Sequence, residues 1–212
     1  TDVHGFKGCT SLKTIDIPDS VTSIGYEAFA NCKSLESIHL PDGVTNIGGL
    51  AFAQCYALKE INLPDSLTTI GEEAFRGVPI AEVVIPANVT EIADWTFYYN
   101  GELRSLTLPD GLKKIGANAF CGASKLQSVE LPESLEEIGN AAFRESGLTS
   151  ITIPGNVKRL GGAFIYCKNL EKVSIAPGVE TIGADAFLEC PKLTEATLAS
   201  TVTTIESSAF CG

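Results

Sequence analysis

Residues 35–55 read LESIHLPDGVTNIGGLAFAQC, and the same order of apolar, proline, glycine and Ala-Phe positions returns along the whole chain. Phenylalanine is the most regular member of this pattern, because every phenylalanine of the chain falls at the same place in it. The phenylalanines are Phe6, Phe29, Phe52, Phe75, Phe97, Phe120, Phe143, Phe164, Phe187 and Phe210, spaced 21–23 residues apart. A period of this length is typical of a repeat solenoid, in which each unit covers the apolar face of its neighbour.

Within one unit, the residues indicate a short strand followed by a turn. Ile38 and Leu40 alternate with polar neighbours, which is the period of a half-buried strand. Pro41 lacks an N–H and ends the strand pairing. The Val-x-x-Ile pair of residues 44–47 turns two more apolar side chains inward, and residues 48–52 are long enough for one helical turn.

Stacking of these units predicts an α/β or mainly β repeat solenoid. We expect a right-handed superhelix of about nine 21–23-residue units, with a parallel sheet on one face and one continuous core. Residues 1–212 would form a single solenoid cut mid-repeat at both ends, a fragment of a longer array, because neither end carries the polar cap of a terminal unit. The expected state is a monomer or a weak end-to-end association.

The charge balance argues against several classes of partner. The chain has 15 Lys and Arg against 26 Asp and Glu, a net charge of −11. Nucleic acids and anionic lipid surfaces are bound by clusters of cations, so neither is expected as a partner. No apolar run approaches 18 residues, so we expect no membrane insertion. A protein partner remains the favoured class.

The consensus L-x-x-I-x-I-P-x-S-V-x-x-I-G-x-x-A-F-x-x-C resembles the leucine-rich repeat superfamily, and most closely its BspA-like, or treponemal-type, subclass. The asparagine ladder of other leucine-rich repeats is missing. Its place is held by Ser20, Gly43, Ser66, Asn88, Gly111, Ser134, Asn156 and Gly178. The resemblance implies a cell-surface or secreted protein that acts in adhesion or protein contact. A passive spacer or stalk that displays other domains is the alternative.

The outward positions of the predicted strands form one candidate binding surface. They are rich in Ser and Thr, mildly acidic and free of aromatic side chains, and they include His39, Asn62, Glu82 and Glu130. Solenoids often bind partners on a curved sheet face. Ser and Thr also suit any exposed sheet by propensity, so a purely structural interpretation stays open.

The unit around Trp95 departs most from the consensus. Trp95, Tyr98 and Tyr99 occupy positions that carry Glu27, Ala30 and Asn31 in the first full unit. Exposed Trp and Tyr are frequent anchors of protein interfaces, so these three residues form a second candidate binding site. Alternatively, the rings pack as a lid over the neighbouring units.

Seven cysteines also follow the repeat, but none belongs to a recognisable reactive motif. Five lie three residues after a phenylalanine and two lie directly after one, and no C-x-x-C occurs. We therefore expect mainly buried free thiols, with some disulfides between neighbouring units as the alternative. His4 and His39 are the only histidines, and neither belongs to a catalytic constellation. The sequence predicts no enzyme activity, no metal and no cofactor.

Two turns and one bend are shorter than the rest. One residue is missing between Phe75 and Ile80, another between Phe143 and Leu148, and a third just before Phe164. Deletions at turns are usually neutral, so we interpret them as loop trimming.

Overall fold

The computed structural model describes residues 2–212, which form a stack of coils built from short parallel strands and turns, with no helix. The strands are β1 (Asp2–Val3), β2 (Thr14–Asp16), β3 (Ser23–Ile24), β4 (Ser37–His39), β5 (Asn46–Ile47), β6 (Thr69–Ile70), β7 (Glu82–Val84), β8 (Glu91–Ile92), β9 (Ser105–Thr107), β10 (Lys114–Ile115), β11 (Glu137–Ile138), β12 (Ser150–Ile153), β13 (Arg159–Leu160), β14 (Lys172–Ile175), β15 (Thr181–Ile182), β16 (Glu195–Leu198) and β17 (Thr204–Ile205). The parallel-strand solenoid predicted from the repeat is confirmed.

Each coil is identified by its phenylalanine. Coils 1 to 9 contain, in order, Phe29, Phe52, Phe75, Phe97, Phe120, Phe143, Phe164, Phe187 and Phe210, and Phe6 belongs to the coil before them. A first ladder of strands comes from the predicted x-x-I-x-I segment, as in the pairing of β2 with β4. A second parallel ladder comes from the Val-x-x-Ile segment, as in the pairing of β3 with β5, and the sequence pattern did not predict it.

The phenylalanine side chains stack along the axis of the solenoid. Neighbouring rings have centroids 5.2–5.5 Å apart and planes inclined by only 3–15°. The eight rings from Phe29 to Phe187 are fully buried, whereas Phe6 and Phe210 are partly exposed. Each ring therefore covers the next, and the stack forms the centre of the continuous core.

The segment around each phenylalanine, residues 27–31 in coil 1, is called the corner of the coil. Its hydrogen bonds explain why no helical turn forms there. In coil 1, the backbone N–H groups of Glu27, Phe29 and Asn31 donate to carbonyls of residues 49–53 in coil 2, at 2.8–2.9 Å. Glu27 and Asn31 adopt left-handed backbone angles, with φ of 54° and 61°. This conformation is strained for residues other than glycine, but here it aims every second N–H at the next coil instead of along its own chain.

In the part of the chain that the structure describes, both strand ladders are interrupted at two shared places, and the first ladder is also unpaired between coils 2 and 3 and between coils 5 and 6. The second ladder divides into the sets β1-β3-β5-β6, β8-β10-β11 and β13-β15-β17, and the first into β2-β4, β7-β9 and β12-β14-β16. Among residues 2–212, no strand pairing joins coil 3 to coil 4 or coil 6 to coil 7. These are the 3/4 and 6/7 junctions, and each lies where the connecting turn is one residue short. The missing residues therefore mark boundaries between blocks of coils, which the interpretation as loop trimming did not foresee.

Other contacts hold the coils together across the junctions. The phenylalanine stack continues, with centroid distances of 5.2 Å at the 3/4 junction and 5.4 Å at the 6/7 junction. An asparagine amide spans each junction, because Asn88 donates to the carbonyl of Asp65 at 2.9 Å and Asn156 donates to the carbonyl of Glu133 at 2.7 Å. Backbone hydrogen bonds at the corners also cross both junctions, as from Phe75 to Thr96 and from Phe143 to Ala163, each at 2.9 Å. The blocks are thus joined by the ring stack, by these hydrogen bonds and by an asparagine side chain, without paired strands.

We predict that hydrogen exchange will reveal the junctions. The amide that follows each strand of the second ladder donates to the preceding coil inside a block, as Gly71 does to Ile47 at 2.8 Å and Gly139 does to Ile115 at 2.8 Å. Ala93 and Gly161 hold the equivalent places at the junctions, and within residues 2–212 no acceptor meets their amides. In hydrogen exchange followed by NMR, the amides of Ala93 and Gly161 should exchange at least about tenfold faster than those of Gly71 and Gly139. Equal protection at all four amides would contradict the block structure.

Candidate functional site

The outward face of the first ladder is exposed, as predicted. In β4, β7 and β9 the middle residue is buried and the residues on either side are exposed. We call this surface the sheet face. His39, Asn62, Glu82 and Glu130 all lie on it with exposed side chains.

A groove crosses the sheet face of coils 1 to 3 and has a volume of about 720 Å³. It brings together two of the predicted residues, His39 and Asn62, with the carboxylates of Asp16 and Glu60 on the same surface. Ile15, Ile38 and Ile61 also border it, but their side chains belong to the core or pack against it. The groove thus offers two carboxylates and an imidazole to a partner.

Asn62 has a structural role inside this groove. Its side-chain oxygen accepts from the N–H of Leu40 at 2.9 Å, and its amide nitrogen donates to the carbonyl of Leu40 at 2.9 Å. These two bonds replace the strand pairing that residues 59–63 lack. The Asn62 amide therefore supports coil 3, and a partner that bound this amide would compete with its hydrogen bonds to Leu40.

The other two predicted sheet-face residues lie apart from the groove. Glu82 belongs to β7, beside Val84, whose side chain is 65% exposed. Glu130 lies in coil 6 and lines two shallow depressions, one towards Ser105 and Thr107 and the other towards the next coil. The predicted residues therefore mark positions along the sheet face and do not form one compact cluster.

The three aromatic residues of coil 4 pack on one another. The ring centroids of Trp95 and Tyr98 are 4.6 Å apart and those of Tyr98 and Tyr99 are 4.2 Å apart, both with edge-on geometry. The guanidinium of Arg76 lies over the Tyr98 ring at 5.7 Å from its centroid. Burial, together with the hydrogen bond to Tyr99, raises the pKa of Tyr98 to about 12. Trp95 and Tyr98 are half-buried, so only Tyr99, at 57% exposure, presents a large surface to a partner.

The exposed tyrosines follow a rule that the sequence analysis missed. Each lies against a glycine of the next coil, and a Cβ added to that glycine would come within 2.6–3.6 Å of the ring. The pairs are Tyr26 with Gly49, Tyr56 with Gly77, and Tyr99 with Gly122. A search for tyrosine followed by glycine 21–23 residues later would have found them. These rings therefore cover exposed backbone, which gives them a structural reason to be at the surface.

The profile of the BspA-type leucine-rich repeat region matches residues 2–103 and 90–212, which is nearly the whole chain. The chain belongs to the BspA-type leucine-rich repeat family. The resemblance seen in the consensus is therefore confirmed. A search of curated proteins found no match.

Several solved structures share the fold. A leucine-rich repeat protein from Bacteroides ovatus is 32% identical, with a TM-score of 0.70 over 96% of this chain and 65% of that protein. A T. pallidum leucine-rich repeat protein is 30% identical, with a TM-score of 0.59 over 92% of this chain and 71% of that one. The pneumococcal vaccine antigen PcpA is 24% identical, with a TM-score of 0.57 over 94% of this chain and 58% of that one, and shows the fold alone. The chain thus spans less than two thirds of the Bacteroides ovatus protein.

Residues 2–212 contain no group of three or more His, Cys, Asp or Glu side chains placed to hold a metal ion. No helix there is long and apolar enough to cross a membrane.

The cysteine position of the BspA-type repeat supports the coil stack. All seven thiols are free, and five of them are buried. Four of the buried thiols donate to the carbonyl of the phenylalanine one coil earlier, at 3.0–3.3 Å. These donors are Cys32, Cys55, Cys167 and Cys190. Asn100 takes the same place in coil 4, where neither polar atom of its buried amide has a hydrogen-bond partner.

We predict that only two thiols react quickly with a thiol reagent in the folded protein. Cys9 and Cys211 are exposed, whereas burial raises the pKa of Cys55 to about 12 and that of Cys121 to about 11. Cys55 and Cys121 therefore carry little reactive thiolate near pH 8, and all five buried thiols are shielded from the reagent. Labelling with a chromogenic disulfide reagent should give a fast phase of two thiols, and the other five should react only on unfolding. A fast phase that includes Cys55 or Cys121 would contradict the burial of these two thiols.

Proposed function

We propose that the chain is a non-catalytic binding scaffold of a secreted or surface-exposed protein, and that a protein partner docks on the sheet face. Membership of the BspA-type leucine-rich repeat family suggests an interaction scaffold. We choose the sheet face because the groove across coils 1 to 3 lies on it. Because its polar side chains point outward from a rigid stack, they can contact a partner without disturbing the core.

Charge indicates what kind of partner fits the sheet face. The chain carries a net charge of −11, and Asp16 and Glu60 in the groove have no ion-pair partner within residues 2–212. A protein with a basic surface would complement them. Such an interaction is steered by charge, so it should weaken as the salt concentration rises.

Exposure to the outside of a cell is supported by similarity. PcpA, which shares the fold, is described as a vaccine antigen. Free thiols are compatible with this location because five of the seven are buried and therefore resist oxidation.

The aromatic cluster of coil 4 is a weaker choice of docking surface. Trp95 and Tyr98 are half-buried and pack edge-on against each other, which leaves less of their surface for a partner. Tyr99 alone could add a contact at the edge of an interface. We therefore assign the main docking role to the sheet face.

We predict that bulky charged substitutions on the sheet face will block binding. Ser37→Arg and Ser105→Arg place a long side chain on exposed positions of β4 and β9 and leave the buried faces unchanged. Binding would be measured by biolayer interferometry against a panel of purified extracellular proteins with acidic and basic surfaces. A captured partner should bind the variants about tenfold or more weakly, a loss of roughly 1.4 kcal/mol or more.

The matched control is Thr90→Arg, which makes the same charge change at an exposed position beside the second ladder. It should leave the dissociation constant unchanged. An equal loss in the control would assign the effect to total charge. If no panel member bound the unmodified chain, the passive spacer would be favoured.

A further inference from the structure

A cleft opens on the turn side of the solenoid at the 6/7 junction. It has a volume of about 450 Å³, within the usual range of small-ligand sites. It is lined by Ser124, Glu145, Ser146, Tyr166, Lys168 and Asn169. These residues come from three successive turns, and the middle turn is the shortened one.

The missing residue produces the cleft. The turn of residues 145–147 is one residue short, and it packs closely against the turn of coil 5. Gly147 donates to the carbonyl of Ala123 at 3.1 Å, and a Cβ on Gly147 would lie 2.3 Å from the carbonyl oxygen of Ser124. Ser146 is buried, with its hydroxyl 3.3 Å from the sulfur of Cys167. The floor of the cleft is thus fixed by packing and hydrogen bonds.

The equivalent place at the 3/4 junction is filled. There Tyr56 lies four residues after the phenylalanine of coil 2, and its ring covers Gly77. Ser124 occupies the same place after the phenylalanine of coil 5. A small hydroxyl in place of a ring leaves the 6/7 junction open.

The cleft has an excess of positive charge and of hydrogen-bond donors. Arg144 binds Glu145 at 3.1 Å and lies over the Tyr166 ring at 5.1 Å from its centroid, so the Glu145 carboxylate is neutralised. Lys168 is exposed, and among residues 2–212 it has no ion-pair partner. The side-chain oxygen of Asn169 accepts from Lys192 at 3.0 Å, which leaves its amide nitrogen as a donor. On a chain of net charge −11, this is a local site for an anion.

We propose that this cleft binds an acidic sugar unit of the uronic acid class. The sugar carboxylate would pair with Lys168 and the amide nitrogen of Asn169, and its hydroxyls would bond to Ser124 and to the Tyr166 hydroxyl. A carboxylate on an acidic peptide is the other source of this charge. The sugar is favoured because the cleft is lined by hydroxyl, amide and aromatic groups and exposes no unpaired strand edge for a peptide backbone.

Isothermal titration of the full chain with a glucuronic acid disaccharide tests the proposal. We expect saturable binding at one site. The neutral glucose disaccharide should bind at least about tenfold more weakly than the acidic one, because the charged hydrogen bonds are lost. Lys168→Gln should weaken uronate binding by a similar factor. Absence of saturable uronate binding, or tighter binding of a tetraglutamate peptide, would overturn the assignment.

Two further variants separate the site from general effects of charge and folding. Lys33→Gln removes an exposed lysine from the same position after a phenylalanine, beside a full-length turn, and should leave binding unchanged. Ser124→Tyr should fill the cleft as Tyr56 fills its counterpart, and abolish binding with an unchanged melting temperature. An equal loss in the Lys33→Gln variant, or full binding by the Ser124→Tyr variant, would contradict the proposed site.

Discussion

Phenylalanine rings from successive coils stack almost parallel, with centroids 5.2–5.5 Å apart, along the full length of the solenoid. This spacing is slightly wider than the separation of about 4.8 Å between paired parallel strands, so the ring stack is compatible with the strand ladders and keeps each coil in register with the next. The cysteine thiols add a second set of contacts, because they donate to the carbonyls of these same phenylalanines. Every surface of the solenoid depends on this alignment, since it places equivalent residues of neighbouring coils side by side.

The two junctions show how the stack tolerates variation. Where a turn loses one residue, strand pairing fails on both ladders, but the rings and the corner hydrogen bonds continue. The array can therefore be divided into blocks of three coils without losing its core. The sequence differences between the junctions then decide their surfaces: Tyr56 covers the first, and Ser124 leaves the second open.

Part of this structure could be predicted from the sequence, because burial imposes a visible period. Spacing predicted the positions of the phenylalanines, the alternating apolar residues of each strand, such as Ile38 and Leu40, and the outward position of His39. The second ladder did not, because the spacing of its two apolar residues lacks the alternation of a strand. The left-handed corner residues include Glu27 and Trp95, which share no chemical signature.

The candidate sites were predicted less completely than the fold. Spacing placed His39, Asn62, Glu82 and Glu130 on one face, but it could not show that the amide of Asn62 binds the backbone of Leu40. Nor could it distinguish a harmless deletion from one that opens a cleft, because that depends on the size of the residue one turn away.

The free energy of unfolding of Phe120→Ala tests the role of the stack most directly. Phe120 is fully buried between two rings at 5.4 Å. Urea denaturation should show a loss of about 3–5 kcal/mol, the usual cost of removing a buried phenylalanine ring. A loss below about 1 kcal/mol would mean that strand pairing alone holds the coils, and would contradict this account.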